Sequence, residues 1–485
     1  MKPMIFTDEV RRTLSRRAFL ARSTTGLGAL ALSSLLDPKL FGAAANAVPK
    51  GLGSLTALHH PPKAKRVIYM FQSGAPSHLD LFDPKPKLKA MTGEELPPSV
   101  RQGQRITGMT AGQAVLRCVG PAFDFQRFGR AGVELSSQLP HLGSIADEIT
   151  LIRSMFTEPI NHDPAVTFMG TGNQQPGRPT MGAWLAYGLG SENSDLPAFV
   201  VLTSGSGGQA LQGHYWGNGF LPANYQGVQF RNQGDPVVYV SNPPGVSGRT
   251  RRELIDAMQE FNRKQLGALG DPAIATHIDN YELAFRMQTS VPELVDLSRE
   301  PKEVLEMYGA EPGKASYANN CLLARRLAER GVRFIQLCHR DWDHHGGLPN
   351  GIKAQTKLTD RASAALVRDL KQRGLLDDTL VIWGGEFGRT AYSQGEIRKD
   401  DFGRDHHPRC FSLWMAGGGT KPGTVYGATD DFGYNIAANP VSVHDFHATM
   451  LHCLGIDHLR LTHRFEGRDY RLTDVSGEVV PALLA

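Results

Sequence analysis

The stretch Val381-Ile382-Trp383-Gly384-Gly385-Glu386-Phe387-Gly388-Arg389-Thr390, followed after a short loop by Gly403-Arg404-Asp405-His406-His407-Pro408, decides the fold. Residues 380–383 are uniformly apolar, the pattern of a strand buried on both faces. Gly384, Gly385 and Glu386 then set a carboxylate at the carboxyl end of that strand, where ligands sit in open α/β sheets. Further on, Asp405, His406 and His407 crowd together. Upstream, a second apolar run, residues 332–338, ends in Asp341, Asp343, His344 and His345. Two strand ends, each tipped with carboxylate and imidazole, predict one shared site.

The neighbouring segments extend the same pattern. Helical periodicity over residues 317–330, 360–373 and 445–454 alternates with apolar runs at 332–338, 379–383 and 411–416. Such alternation predicts an α/β fold with a mostly parallel central sheet and helices on both faces. A first strand at residues 66–71 leads into the turn Gln72-Ser73-Gly74-Ala75-Pro76-Ser77, with His78 and Asp80 just beyond. Ser77 and Asp80 are either a third arm of the site or the cap of a short helix. A strand at residues 150–155 precedes Asn161-His162-Asp163-Pro164. This His-Asp pair either binds a metal or substrate, or caps a helix whose first turn holds the proline. Residues 203–248, rich in Gly, Gln, Asn and Pro, predict long loops. Residues 249–309 predict a charged helical insertion, so that insertions cover about 203–310.

Composition narrows the function classes. A chain of 485 residues with 41% hydrophobic and 21% charged residues is ordinary for a soluble globular protein. The balance of 52 basic against 48 acidic residues gives no support to a nucleic-acid role. Five scattered cysteines without a CxxC pair argue against a disulfide framework and against a thiolate zinc cage.

The N-terminus carries its own signal. Ser15-Arg16-Arg17-Ala18-Phe19-Leu20 precedes a weakly apolar run at residues 24–36, and Ala45-Asn46-Ala47 offers small residues for cleavage. The segment resembles a twin-arginine export signal, as against a membrane anchor or a basic tail. That resemblance implies a signal peptide over 1–47, a linker over 48–64 and one domain over 65–485. It also implies contact with the twin-arginine translocase and a periplasmic or extracellular destination. No later run approaches the length of a membrane span, so none is expected in the mature protein.

Five motifs together resemble a known family: Ser77-His78-Leu79-Asp80-Leu81-Phe82-Asp83-Pro84-Lys85-Pro86, Trp342-Asp343-His344-His345, Gly385-Glu386-Phe387-Gly388-Arg389-Thr390, Gly403-Arg404-Asp405-His406-His407-Pro408 and Val443-His444-Asp445-Phe446-His447-Ala448-Thr449. Their order is similar to that of the exported family catalogued as domain of unknown function 1501, which is grouped with the alkaline phosphatase and sulfatase superfamily. The resemblance implies an alkaline-phosphatase-like fold and hydrolysis of a sulfate or phosphate ester on a small molecule or glycan. It departs from sulfatases at Phe387, which stands where those enzymes carry a metal-binding histidine, and their Cys-x-Pro-x-Arg nucleophile pattern is missing.

The residue chemistry suits a divalent metal ion. Asp80, Asp343, His345, Glu386, Asp405 and His406 are the candidate ligands, a set of oxygens and imidazoles suited to zinc, manganese, iron or calcium. Ser77 or a water is the candidate nucleophile, and His162 joins the catalytic candidates. Arg389 either neutralises the nonbridging oxygens of an ester or pairs with Glu386 or Asp405. His407 either orients a ligand or packs before Pro408. The competing class is a noncatalytic relative that binds a metal or an anionic glycan in the same pocket.

Overall fold

Strands in chain order are β1 (Arg66–Gln72), β2 (Ile149–Phe156), β3 (Phe199–Ser204), β4 (Val228–Phe230), β5 (Phe334–His339), β6 (Thr379–Gly384), β7 (Phe411–Ala416), β8 (Thr424–Tyr426) and β9 (Val441–Ser442). They form a single sheet in the spatial order β8-β2-β7-β6-β1-β5-β3-β4, with β9 also paired to β2. The computed structural model describes residues 53–485 except 232–235, 238–241, 243–244, 270–271 and 399–400. The expected signal segment 1–47 and most of the linker lie outside the described residues.

Strand β1 is central and runs parallel to both neighbours, β5 and β6. Strand β3 is parallel to β4 and β5. Strand β7 is antiparallel to both β2 and β6. Every residue of β1 is buried. Its alternate side chains enter different layers: Ile68 and Met70 pack with Leu322 and Leu366, whereas Val67, Tyr69 and Phe71 pack with Trp184 and Phe446. A strand covered on both faces needs apolar side chains at every position, which is why β1 and β6 read as unbroken runs.

The covering helices divide the same way. Helices α1 (His162–Thr171), α2 (Met181–Leu189) and α5 (Val443–Cys453) line one face, and α3 (Tyr317–Glu329) and α4 (Leu348–Gln372) the other. The mostly parallel α/β architecture expected from the sequence is therefore the one found. The region 203–310 differs in one respect from its reading as loops followed by helices. Val228–Phe230 pairs in parallel with β3 and lengthens the sheet. Beyond it, the helices Gly248–Leu269 and Pro272–Val295 are joined by the Arg252–Glu282 ion pair. Among the described residues no helix is long and apolar enough to cross a membrane.

This topology concentrates functional groups on one edge. The carboxyl ends of β1, β2, β5 and β6 lead to Gly74, His162, Asp343 and Glu386, respectively. Because β7 runs the other way, His406, which precedes it, lies at that edge as well.

Candidate metal centre

The loop after β5 is shaped by two tight contacts. Asp341 adopts a left-handed backbone with φ 86°. Trp342 is buried and donates its Nε1 hydrogen to Gln72 Oε1 at 2.9 Å, fixing the loop to the end of β1. Gly74, at φ 105°, abuts this loop, and a Cβ there would sit 2.7 Å from the Asp343 nitrogen. Only glycine allows the two turns to pack back to back. The result returns Asp343 and His345 over the sheet edge.

Four side chains converge there. One ligand atom each from His162, Asp343, His345 and His406 lies within 4.8 Å of the others. Asp343 Oδ1 is 2.8 Å from His345 Nε2, 3.2 Å from His162 Nε2 and 3.4 Å from His406 Nε2. The far ring nitrogens are each committed elsewhere. Nδ1 of His162 meets Glu386 Oε1 at 2.6 Å, Nδ1 of His345 meets Gln394 Oε1 at 2.6 Å, and Nδ1 of His406 meets the Ile160 carbonyl at 2.8 Å. Each of these oxygens accepts, so each Nδ1 carries a hydrogen and each ring, in its neutral form, turns its Nε2 lone pair toward the cluster.

That arrangement fits a cation. His345 Nε2 and His406 Nε2 are 3.1 Å apart, and His162 Nε2 is buried without a hydrogen-bond partner. Lone pairs facing one another and a carboxylate repel, and a positive ion among them reverses the sign. Oxygen partners behind metal-binding imidazoles are the usual device for fixing ring and tautomer. Titration follows the same electrostatics. Burial opposes ionisation of Asp343, yet without a cation the facing imidazoles of His162, His345 and His406 and the charge of Arg389 hold its carboxyl far below the usual range. Burial also works against a charged His162, but Asp343 and Glu386 outweigh it and raise the ring to about 9, so without a cation His162 is charged and a bound ion would take the place of its Nε2 proton. Burial, with the charge of Arg389, pushes His406 down to about 4 despite its bond to Asp343.

The structure brings Asp343, His345 and His406 together and redistributes the other candidates. His162, expected among catalytic groups, stands as a fourth donor beside them. Glu386, expected as a ligand, is fully buried one step behind, accepting from His162 and from the Gly74 amide at 3.0 Å. Asp80 and Asp405 do not join the cluster. Asp80 pairs with Arg404 at 2.8 Å and accepts the Ala122 amide at 2.7 Å. Asp405 accepts the hydroxyls of Thr107 and Thr110 and the amide of His406. Both carboxylates are fully buried, with their oxygens already engaged.

Ser77, the candidate nucleophile, is 3% exposed, donates its hydroxyl to Asp80 and lies outside the four-residue cluster. Arg389 is buried and spends four of its five N–H donors inside the fold. Its guanidinium bonds the carbonyls of Gly74, Ala75 and Arg404 and reaches Asp343 Oδ1 at 2.6 Å. His407 packs rather than orients a ligand, stacking on Tyr434 and donating Nε2–H to its carbonyl at 2.7 Å. Two groups escaped the sequence reading. Gln394 lies inside the hairpin strand Gly388–Arg398, and the Ile160 oxygen is a main-chain atom that side-chain chemistry cannot flag.

No curated protein matches the chain. Several solved structures are similar in outline. A sulfatase, PsFucS1 from Pseudoalteromonas sp., is 11% identical, with 93% of this chain and 72% of that one covered and a TM-score of 0.33. A protein in the alkaline phosphatase superfamily from Vibrio parahaemolyticus is 12% identical, with 86% and 72% covered and a TM-score of 0.31. The phosphonate monoester hydrolase of Agrobacterium radiobacter is 11% identical, with 87% and 77% covered and a TM-score of 0.31. Likenesses this distant assign neither a residue nor an activity. The family comparison is of another kind, matching residues 64–484 to a protein of unknown function, DUF1501, and the chain belongs to that family.

Proposed function

We propose that this protein is an exported metal-dependent hydrolase of a phosphate or sulfate ester, with water as the attacking group. One observation carries the reading: His162, His345 and His406 all give their Nδ1 hydrogens to oxygens and turn Nε2 toward Asp343. Three imidazoles and one carboxylate suit zinc, manganese or iron and disfavour calcium, which takes oxygen ligands. When bound, such an ion polarises an ester oxygen and lowers the pKa of water. The chain's own part is positional. Glu386 and Gln394 hold two rings, the Ile160 carbonyl holds the third, and Arg389 holds Asp343. Asp343 and His345 retain 20% and 25% side-chain exposure, which leaves the cluster open to a substrate.

The test is hydrolysis of aryl phosphate and aryl sulfate by purified protein before and after chelation. Activity lost on chelation and restored by zinc, manganese or iron supports the reading. Stoichiometric metal with neither activity favours the second reading, a noncatalytic metal- or anionic-glycan-binding relative. The engagement of Arg389 and Ser77 with the fold is the observation on that side. Export belongs to the same proposal and rests on Ser15 to Leu20. Replacing Arg16 and Arg17 by lysine is expected to retain the protein in the cytoplasm, as cell fractionation would show.

A further inference from the structure

Behind the ligand loop lies a basic cavity of about 420 Å³, lined by Lys89, Lys353 and Arg398 together with Phe123, Pro349 and Phe402. Among the described residues no carboxylate lines it. Lys353 Nζ lies 5.9 Å from the centroid of the Phe123 ring, and among the described residues no carboxylate pairs with it. Lys89 and Arg398 pair with Asp124 and Glu396 outside the lining, in exposed contacts that contribute little and exchange readily. Three cations beside two aromatic rings form a pocket for an oxyanion attached to a ring or chain.

Its position ties it to the candidate centre. Phe402 precedes His406 by four residues on the same hairpin strand, about 13 Å at ordinary strand rise. Pro349 follows His345 by four residues, at the start of α4. The intervening segments are bonded to one another, Arg404 N–H to the His344 carbonyl at 3.2 Å and Gly347 N–H to Asp401 Oδ1 at 2.9 Å. A substrate reaching both would have to extend on the order of 13 Å, the span of a chain of a few units.

We propose that this cavity is a subsite for a sulfate or phosphate group borne on a neighbouring unit of a chain substrate whose ester meets the His162–Asp343–His345–His406 cluster. The proposal rests on the hydrolase reading of that cluster and assigns the substrate to the polyanionic polymers. Its test is calorimetric binding of the full protein to three probes: a dextran sulfate oligomer, linear polyphosphate and unsulfated dextran. The charged probes are expected to bind and the neutral one not, and the tighter of the two charged probes identifies the anion. Lys353→Glu should weaken the charged probe about tenfold or more. Lys353→Arg should retain binding, and Lys302→Glu, a charge reversal at an 85% exposed lysine on another helix, should change little. Equal weakening by Lys353→Glu and Lys302→Glu overturns the proposal, because attraction is then diffuse. Absence of binding to any charged probe overturns it too. Aryl ester hydrolysis in the same preparations keeps the two readings apart. Binding lost in Lys353→Glu with that activity intact supports the subsite, and specific binding without hydrolysis supports the cavity while removing the hydrolase reading.

Discussion

Glu386 Oε1 lies 2.6 Å from His162 Nδ1, joining the end of β6 to the first turn of α1 in a fully buried carboxylate–imidazole contact. The same oxygen accepts the Gly74 amide, so one atom fixes the ends of three neighbouring chain segments. Glu386→Gln keeps the shape and removes the charge behind the ring. Metal affinity is expected to fall about 10- to 100-fold, as for other partners of metal-binding imidazoles, with circular dichroism unchanged. Competition against a chromophoric chelator measures it, and an unaltered affinity would remove Glu386 from the centre.

Arg389 is a structural cation. Replacing it with methionine strips hydrogens from three carbonyls and leaves Asp343 without its buried partner. The expected loss is about 3–5 kcal/mol of stability, read by urea unfolding. A stable Arg389→Met protein that binds metal but no longer turns over substrate would return the residue to a direct role.

Ser77→Ala separates a nucleophile from a fold contact. The lost bond to Asp80 should cost about 1 kcal/mol, leaving metal content and ester hydrolysis near those of the parent. Hydrolysis abolished with metal and fold intact would contradict its burial.

Acid should destabilise the protein through His447. Burial between α5 and α1 pushes this ring down to about 3 against an ordinary 6.5, although its Nε2–H bond to the Met169 carbonyl favours the charged form. Above pH 6.5 both folded and unfolded chains keep it neutral. As pH falls from about 6.5 to about 3, only the unfolded chain binds the proton, and stability drops by up to about 1.4 kcal/mol per pH unit. His447→Gln should flatten that slope in urea titrations between pH 7 and 4, and an unchanged slope would assign the acid sensitivity to other groups.

The sheet was legible because β1 and β6 are buried on both sides and must be apolar throughout. Asp343, His345 and His406 were legible because they cluster beside the ends of strands buried on both faces, where ligands sit in open α/β sheets. Asp80, Asp405 and Glu386 carry the same chemistry in sequence, yet differ in space. Arg404 draws Asp80 into an ion pair, Thr107 and Thr110 claim Asp405, and His162 stands between Glu386 and the cluster. Those assignments depend on partners hundreds of residues away, which local pattern does not reveal. His162 carried the opposite ambiguity, since a His-Asp-Pro turn is also good helix-start chemistry.

The most direct test is elemental analysis of protein purified from its own host, in parent and His345→Ala forms. The account predicts a single zinc, manganese or iron ion per chain in the parent and its loss from a variant that remains folded. A parent free of metal after purification without chelators, or a His345→Ala variant retaining the full complement, would contradict it.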